Sequence, residues 1–127
     1  MDPRAAADGW VGAWERGWHT HDVELIAARY AEGAVFRSHP FREPEDARAF
    51  VERAFADEDA EPDVWFGTPV VDGDRAAVEY WAILRAEGKE QTLAGTTLLR
   101  FDPEGLVVEH RDYWSLETGR RERPAES

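Results

Sequence analysis

The feature that most constrains this chain is a change of hydrophobic period near residue 64. Before it, apolar residues recur at every third or fourth position, and after it they alternate. Ala6, Trp10, Trp14 and Trp18 recur at i+4 and share one helical face. Asp2-Pro3 supplies an N-cap followed by proline at the first helical position, so a helix is expected from Asp2 to Trp18. Gly9, Gly12 and Gly17 weaken it, and it needs tertiary packing to persist. Asp22 caps a second, short helix in which Leu25, Ile26 and Tyr30 share a face, ended by Gly33, and Ala34 to His39 reads as a short strand. A third helix begins at Glu43-Pro44, because Ala47, Phe50, Val51, Ala54 and Phe55 fit the i, i+3, i+4, i+7, i+8 template. The acidic run Asp57 to Asp63 reads as a solvated linker.

Strand-like runs then follow at Val64 to Val71, Ala76 to Ala86, Gln91 to Phe101 and Leu106 to Trp114. The separators Asp72-Gly73-Asp74, Glu87-Gly88-Lys89 and Asp102 to Gly105 are hairpin signals. Three helices followed by a meander predict an α+β domain, with the helices packed on the concave face of a strongly curved, mixed or antiparallel sheet. At 127 residues the chain is one domain, expected over 1–116, with 117–127 as a flexible tail.

Charge narrows the partners. A net charge of −12 repels phosphate backbones and anionic membranes, so nucleic acid and membrane are not expected partners. The chain has no apolar run long enough for a membrane span and no signal-like start, which reads as cytoplasmic. Zero Cys removes thiol nucleophiles and thiolate metal sites. The aromatic share of 12% is high, and it reflects either dense packing or a surface for a flat organic ligand.

Hairpin parity assigns faces. Turns of even length set Leu84, Ala82 and Tyr80 opposite Leu93, Gly95 and Thr97, and pair Leu99 with Val108, Thr97 with His110, Gly95 with Asp112 and Leu93 with Trp114. One face then carries Tyr80, Ala82, Gly95, Thr97, His110, Asp112 and Trp114. The other carries Glu79, Trp81, Ile83, Thr96, Leu98, Glu109, Arg111 and Tyr113, and is expected to form a homodimer through Trp81, Ile83, Leu98 and Tyr113. An odd loop would flip every assignment. Small residues in mid-strand leave room, so a cavity is expected on the helix-covered face. His110 and Asp112 are i and i+2 on one strand, with Cβ atoms about 6 to 7 Å apart, and are expected to meet through a substrate or a water.

The order helix, helix, short strand, helix, meander resembles the nuclear transport factor two-like superfamily of cone-shaped domains, within it the SnoaL-like polyketide cyclase and ketosteroid isomerase group. The segments Asp22 to Phe36 and Leu99 to Trp114 carry the resemblance. It implies an enzyme that works by cofactor-independent acid/base chemistry, of isomerase, cyclase or dehydratase type, on a hydrophobic, polyketide-like small molecule. The three catalytic positions of ketosteroid isomerases fall on Trp14, on Ser38 or His39, and on Thr97, so that mechanism is not expected. The epoxide hydrolases of this fold need an Asp-Arg-Asp set, and the strand parity turns Arg100 and Arg111 outward. The SnoaL-like cyclases imply Asp112 as the base.

The expected catalytic set is therefore Asp112, with His110 or His39 as proton donor or orienting group. Trp14, Trp18, Tyr30, Phe36, Phe41, Phe50, Trp65, Tyr80, Thr97 and Trp114 are expected to contact a hydrophobic ligand, with Tyr80 and Thr97 bonding a developing enolate oxygen. Other readings stay open: Asp112 as a structural carboxylate held by backbone or an indole N–H, His110 as a satisfied pocket histidine, and the tryptophans as core. His19, His21 and Asp22 read as a solvated turn rather than a metal site, and no metal or organic cofactor is expected. Ser38 and Ser115 lack an adjacent base. A non-catalytic ligand-binding or dimerising module of the same fold is the alternative function, and a purely structural protein a third.

Overall fold

A computed structural model describes residues 1–125. Its elements are α1 (Pro3–Thr20), α2 (Val23–Ala27), β1 (Tyr30–Arg37), α3 (Ala47–Ala56), β2 (Asp63–Phe66), β3 (Val70–Asp72), β4 (Arg75–Ala86), β5 (Lys89–Phe101) and β6 (Val107–Thr118). The three helices pack against a mixed sheet of order β1-β6-β5-β4-β2, with β3 also on β4, and β1 runs parallel to β6 while the other pairs are antiparallel. This is the expected α+β architecture.

The helix signals act as expected. Asp2 Oδ1 accepts from the Arg4 and Ala5 amides, Asp22 accepts from Leu25, and Asp46 accepts from Ala49, so each helix starts on a carboxylate. Gly17 has a packing reason within α1, since a Cβ there would stand 2.6 Å from Ile26 Cγ1. The indoles of α1 anchor the core. Trp10 meets Trp14 and the edge of Phe66, and Trp14 meets Trp18 and Phe55, each aromatic pair contributing about 1 kcal/mol beyond its buried area.

Three expectations about the elements are corrected. Tyr30 opens β1 instead of closing α2, and Gly33, at φ +76, lies within the strand where its register to β6 shifts. The run 64–71 is two strands interrupted at Gly67 to Pro69, because a proline cannot donate to the ladder. The expected domain boundary after residue 116 falls inside β6, which continues to Thr118. Beyond it Arg121 N donates to Thr92 Oγ1, and the last two residues of the expected tail lie outside the described residues.

The face assignment holds, although each register differs by two residues. The Glu87-Gly88 turn has two residues, both at positive φ, so Tyr80 pairs with Gly95, Ala82 with Leu93 and Val78 with Thr97. Between β5 and β6 the connection has odd length, which alone would flip the faces. A register shift at Arg100 and Phe101 leaves Val108 unpaired and restores them, so Leu99 meets His110, Thr97 meets Asp112 and Gly95 meets Trp114. Gly95 does not open space as expected. A Cβ there would lie 2.3 Å from Tyr113 O, so the glycine permits close approach of β6 where the sheet coils.

The outer face is partly covered by the chain itself. Trp81 Nε1 donates to Arg121 O, Thr92 Oγ1 donates to Gly119 O, and Ile83 is 3% exposed. Within the set Trp81, Ile83, Leu98 and Tyr113, Tyr113 is the most open, at 43% exposure.

Candidate functional site

Helices and sheet enclose a cavity of about 540 Å³, within the range of small-molecule sites. Strand alternation puts Tyr80, Thr97, His110, Asp112 and Trp114 on its sheet wall, and the i+4 row of α1 puts Trp10, Trp14 and Trp18 on its helical wall. Phe50 and Phe55 of α3 close a third side.

Six side chains form one connected network. Trp10 and Trp14 donate their indole N–H groups to Tyr30 Oη, at 3.0 and 3.2 Å. Tyr30 Oη lies 2.8 Å from His110 Nδ1, His110 Nε2 lies 2.8 Å from Asp112 Oδ1, and Thr97 Oγ1 donates to the same oxygen at 2.6 Å. A phenol oxygen has one proton and two acceptor positions, and both positions are filled by indoles that can only donate. The phenol proton therefore goes to His110 Nδ1, which must be bare. The imidazole proton then sits on Nε2 and is donated to Asp112, an assignment that follows from the network. Burial pushes the Tyr30 phenol far above its ordinary value, so it stays a donor. Phe36 stacks on the imidazole at 3.9 Å and fixes its plane.

Asp112 is thus held through one oxygen only. Oδ1 takes both side-chain donors, while Oδ2 has no hydrogen-bond partner among the described residues, and the side chain, 12% exposed, lines the cavity. Neither a backbone donor nor an indole holds it. His110 and Asp112 meet directly, and not across a water or a substrate. Tyr80 also lines the cavity with no protein partner for its hydroxyl among the described residues, and burial together with the Asp112 charge raises its pKa, keeping it protonated. Thr97 reaches the cavity too, but its proton is directed at Asp112.

Of the expected ligand contacts, Trp14, Trp18, Phe50, Tyr80, Thr97 and Trp114 line the cavity, and Tyr30, Phe36, Phe41 and Trp65 do not; of the expected catalytic set, Asp112 and His110 line it and His39 does not. Tyr30 and Phe36 are one layer behind, against His110. Phe41 is 92% exposed. Trp65 pairs with Trp81 on the outer face under the Arg123 guanidinium, because the register of β2 turns Phe66 inward in its place. His39 packs against Trp114 at 4.7 Å, outside the cavity, and its Nδ1 accepts from the Phe41 amide. His19 pairs with Glu61 and His21 with Glu58.

Sequence reasoning missed Trp10, Arg42 and Glu58. Trp10 was visible in the i+4 row of α1. Arg42 sits on the loop after β1, outside any strand parity, with its guanidinium over Trp114. Glu58 was hidden in the acidic run, where its four acidic neighbours read as solvated surface. Arg100 and Arg111 belong to the outer face, as expected.

Comparison with known proteins places this geometry. Residues 11–110 match the model of the SnoaL-like domain. No curated protein matches the sequence. Among solved structures, the epoxide hydrolase/cyclase-like enzyme SalBIII, described in pyran ring formation in the polyether salinomycin, superposes with a TM-score of 0.76 at 16% identity, over 92% of this chain and 98% of that one. An LEH-like epoxide hydrolase of M. tuberculosis gives 0.71 at 16%, over 87% and 84%. A protein from Catenulispora acidiphila with a ketosteroid isomerase-like fold, in complex with trimethylamine, gives 0.71 at 19%, over 84% and 85%. At such identities these neighbours establish a shared fold.

Proposed function

The chain belongs to the SnoaL-like domain family, and from that premise we propose that it is an acid/base enzyme that moves a proton on a hydrophobic, polyketide-like small molecule, with Asp112 as the base. One observation carries the reading: Asp112 lines the cavity and is fixed through Oδ1 by Thr97 and His110, while its Oδ2 has no hydrogen-bond partner among the described residues. A general base must be positioned and must also have an oxygen free for the proton it takes. A purely structural carboxylate would have both oxygens satisfied.

The surrounding groups have distinct parts. Tyr30 fixes the His110 tautomer, and His110 and Thr97 orient Asp112 and stabilise its negative charge. His110 is thereby an orienting group, since its one proton is committed to Asp112. Tyr80, protonated and unpartnered, donates to the oxygen on which charge develops as the C–H bond breaks. The aromatic walls hold a flat substrate against these groups. Proton abstraction beside a carbonyl is common to isomerisation, cyclisation and dehydration, and none of the steps assigned to these residues needs a cofactor.

The test is isotope exchange. With a panel of planar aryl ketones in heavy water, the wild-type protein should catalyse deuterium entry at the carbon beside the carbonyl, followed by proton NMR. Asp112→Asn should lower that rate by about a hundredfold or more, the usual contribution of a general base. Equal rates in the two proteins would remove Asp112 as the base. Ligand binding without any exchange would leave a non-catalytic receptor with the same pocket.

A further inference from the structure

The cavity contains a second buried carboxyl that the proton transfer at Asp112 does not use. Glu58 stands just after α3, its side chain is 8% exposed, and it lines the same cavity. Its hydrogen-bond partners among the described residues are the Trp18 indole N–H, 3.2 and 3.0 Å from its two oxygens, and His21 Nε2 at 3.3 Å. Among the described residues no arginine or lysine pairs with it. The guanidiniums on the cavity wall are engaged elsewhere: Arg53 bonds Glu45 at 2.7 Å and lies over Phe50, and Arg42 donates to Ser38 Oγ and lies over Trp114.

Burial pushes the Glu58 carboxyl above its ordinary pKa, against the opposing pull of Trp18 and His21. A carboxyl desolvated in this way, with acceptor capacity remaining, favours a ligand that brings its own positive charge. The rings around it suit such a ligand. Trp18 bonds the carboxylate, Trp14 packs edge-on against Trp18 at 5.6 Å, and Phe55 lies 6.4 Å from Trp14. Aromatic faces attract organic cations, and the chain's net charge of −12 raises their concentration near its surface.

We propose that the Glu58 end of the cavity binds the ammonium group of an organic amine, with the Glu58 carboxylate as its counter-ion. This names the substrate class of the pocket assigned above and rests on that pocket being a ligand site. The spacing fixes the shape of the ligand. Trp10 packs on His110, beside Asp112, and Trp18 bonds Glu58. These indoles stand two turns apart on α1, about 12 Å along its axis. The amine and the reacting carbon therefore belong to opposite ends of an elongated molecule.

Three probes with one skeleton test this by quenching of tryptophan fluorescence: phenylbutylamine, phenylbutanol and phenylbutyrate, which are cationic, neutral and anionic. The wild-type protein should bind the amine about tenfold more tightly than the alcohol, as expected for a desolvated charge pair, and the carboxylate most weakly. Glu58→Gln should lose the preference for the amine while still binding the alcohol, and Asp112→Asn should keep it. Equal affinities for amine and alcohol in the wild type overturn the proposal without recourse to any variant. So does a preference that survives in Glu58→Gln or disappears in Asp112→Asn. Failure of all three probes to bind also overturns it, and the isotope-exchange result then judges the acid/base reading on its own.

Discussion

The two faces of the sheet stabilise the same strands by opposite means. On the inner face, one hydroxyl joins three side chains: Tyr30 accepts from Trp10 and Trp14 and donates to His110, all of them buried. On the outer face, solvent-accessible charges share partners, with Arg85 and Arg120 both on Asp63 and both near Glu90. A buried network has no water to replace a lost partner, so its members depend on one another. An exposed ion-pair network has redundancy and solvent, so each member matters little. The difference implies that a substitution on the inner face costs more than one on the outer face.

Tyr30→Phe should have the largest effect. It strands the Trp10 and Trp14 N–H groups and removes the donor to His110 Nδ1. At about 1–3 kcal/mol for each buried group left unsatisfied, the loss in urea denaturation should reach about 3 kcal/mol or more. Freed from the phenol, the imidazole should also lose its single tautomer, visible in its nitrogen chemical shifts. A loss under about 1 kcal/mol would mean that the inner face is as redundant as the outer one.

Trp81→Phe should have an intermediate effect. It keeps an aromatic ring but removes the hydrogen bond to Arg121 O, for about 1 kcal/mol. Faster proteolytic trimming of the chain after β6, measured by mass spectrometry, should accompany it. Unchanged trimming would show that this bond does not fasten the segment.

Asp63→Asn should have the smallest effect, at most about 1 kcal/mol, because the carboxylate is exposed. Hydrogen bonds from Arg85 and Arg120 hold its pKa below the ordinary value. A carboxyl with a lowered folded-state pKa contributes stability above its unfolded value, and loses it as pH falls through the folded one. The difference between wild type and variant should therefore be present at neutral pH, vanish in acid and shrink with salt. A larger cost than that of Tyr30→Phe would invert the contrast between the faces.

The legible part of the site was the part that periodicity controls. Asp112, Thr97, Tyr80 and Trp114 were placed on one face by alternation, and that held although both hairpin registers differ by two residues, since a shift of two preserves the face. Trp14 and Trp18 followed from helical spacing. Trp65 was misplaced because a four-residue strand at the sheet edge carries too short a pattern to fix which side faces in. His39 and Phe41 were misplaced because they follow the end of β1, where no period governs direction.

The sequence by itself determined the fold class, the helices and their caps, and the face of the sheet on which Asp112 would lie. These depend on local dihedral preference and on periods of 3.6 and 2, which neighbouring residues share. Tertiary structure alone decided that Tyr30 meets His110 across 80 positions and that Glu58 turns inward to Trp18 across 40. It also decided that Arg121 lies against Trp81. Such contacts depend on the paths of loops and on the single register shift that rescued the parity of β6. No local pattern encodes them, because each is made by groups that become neighbours only when separate elements pack.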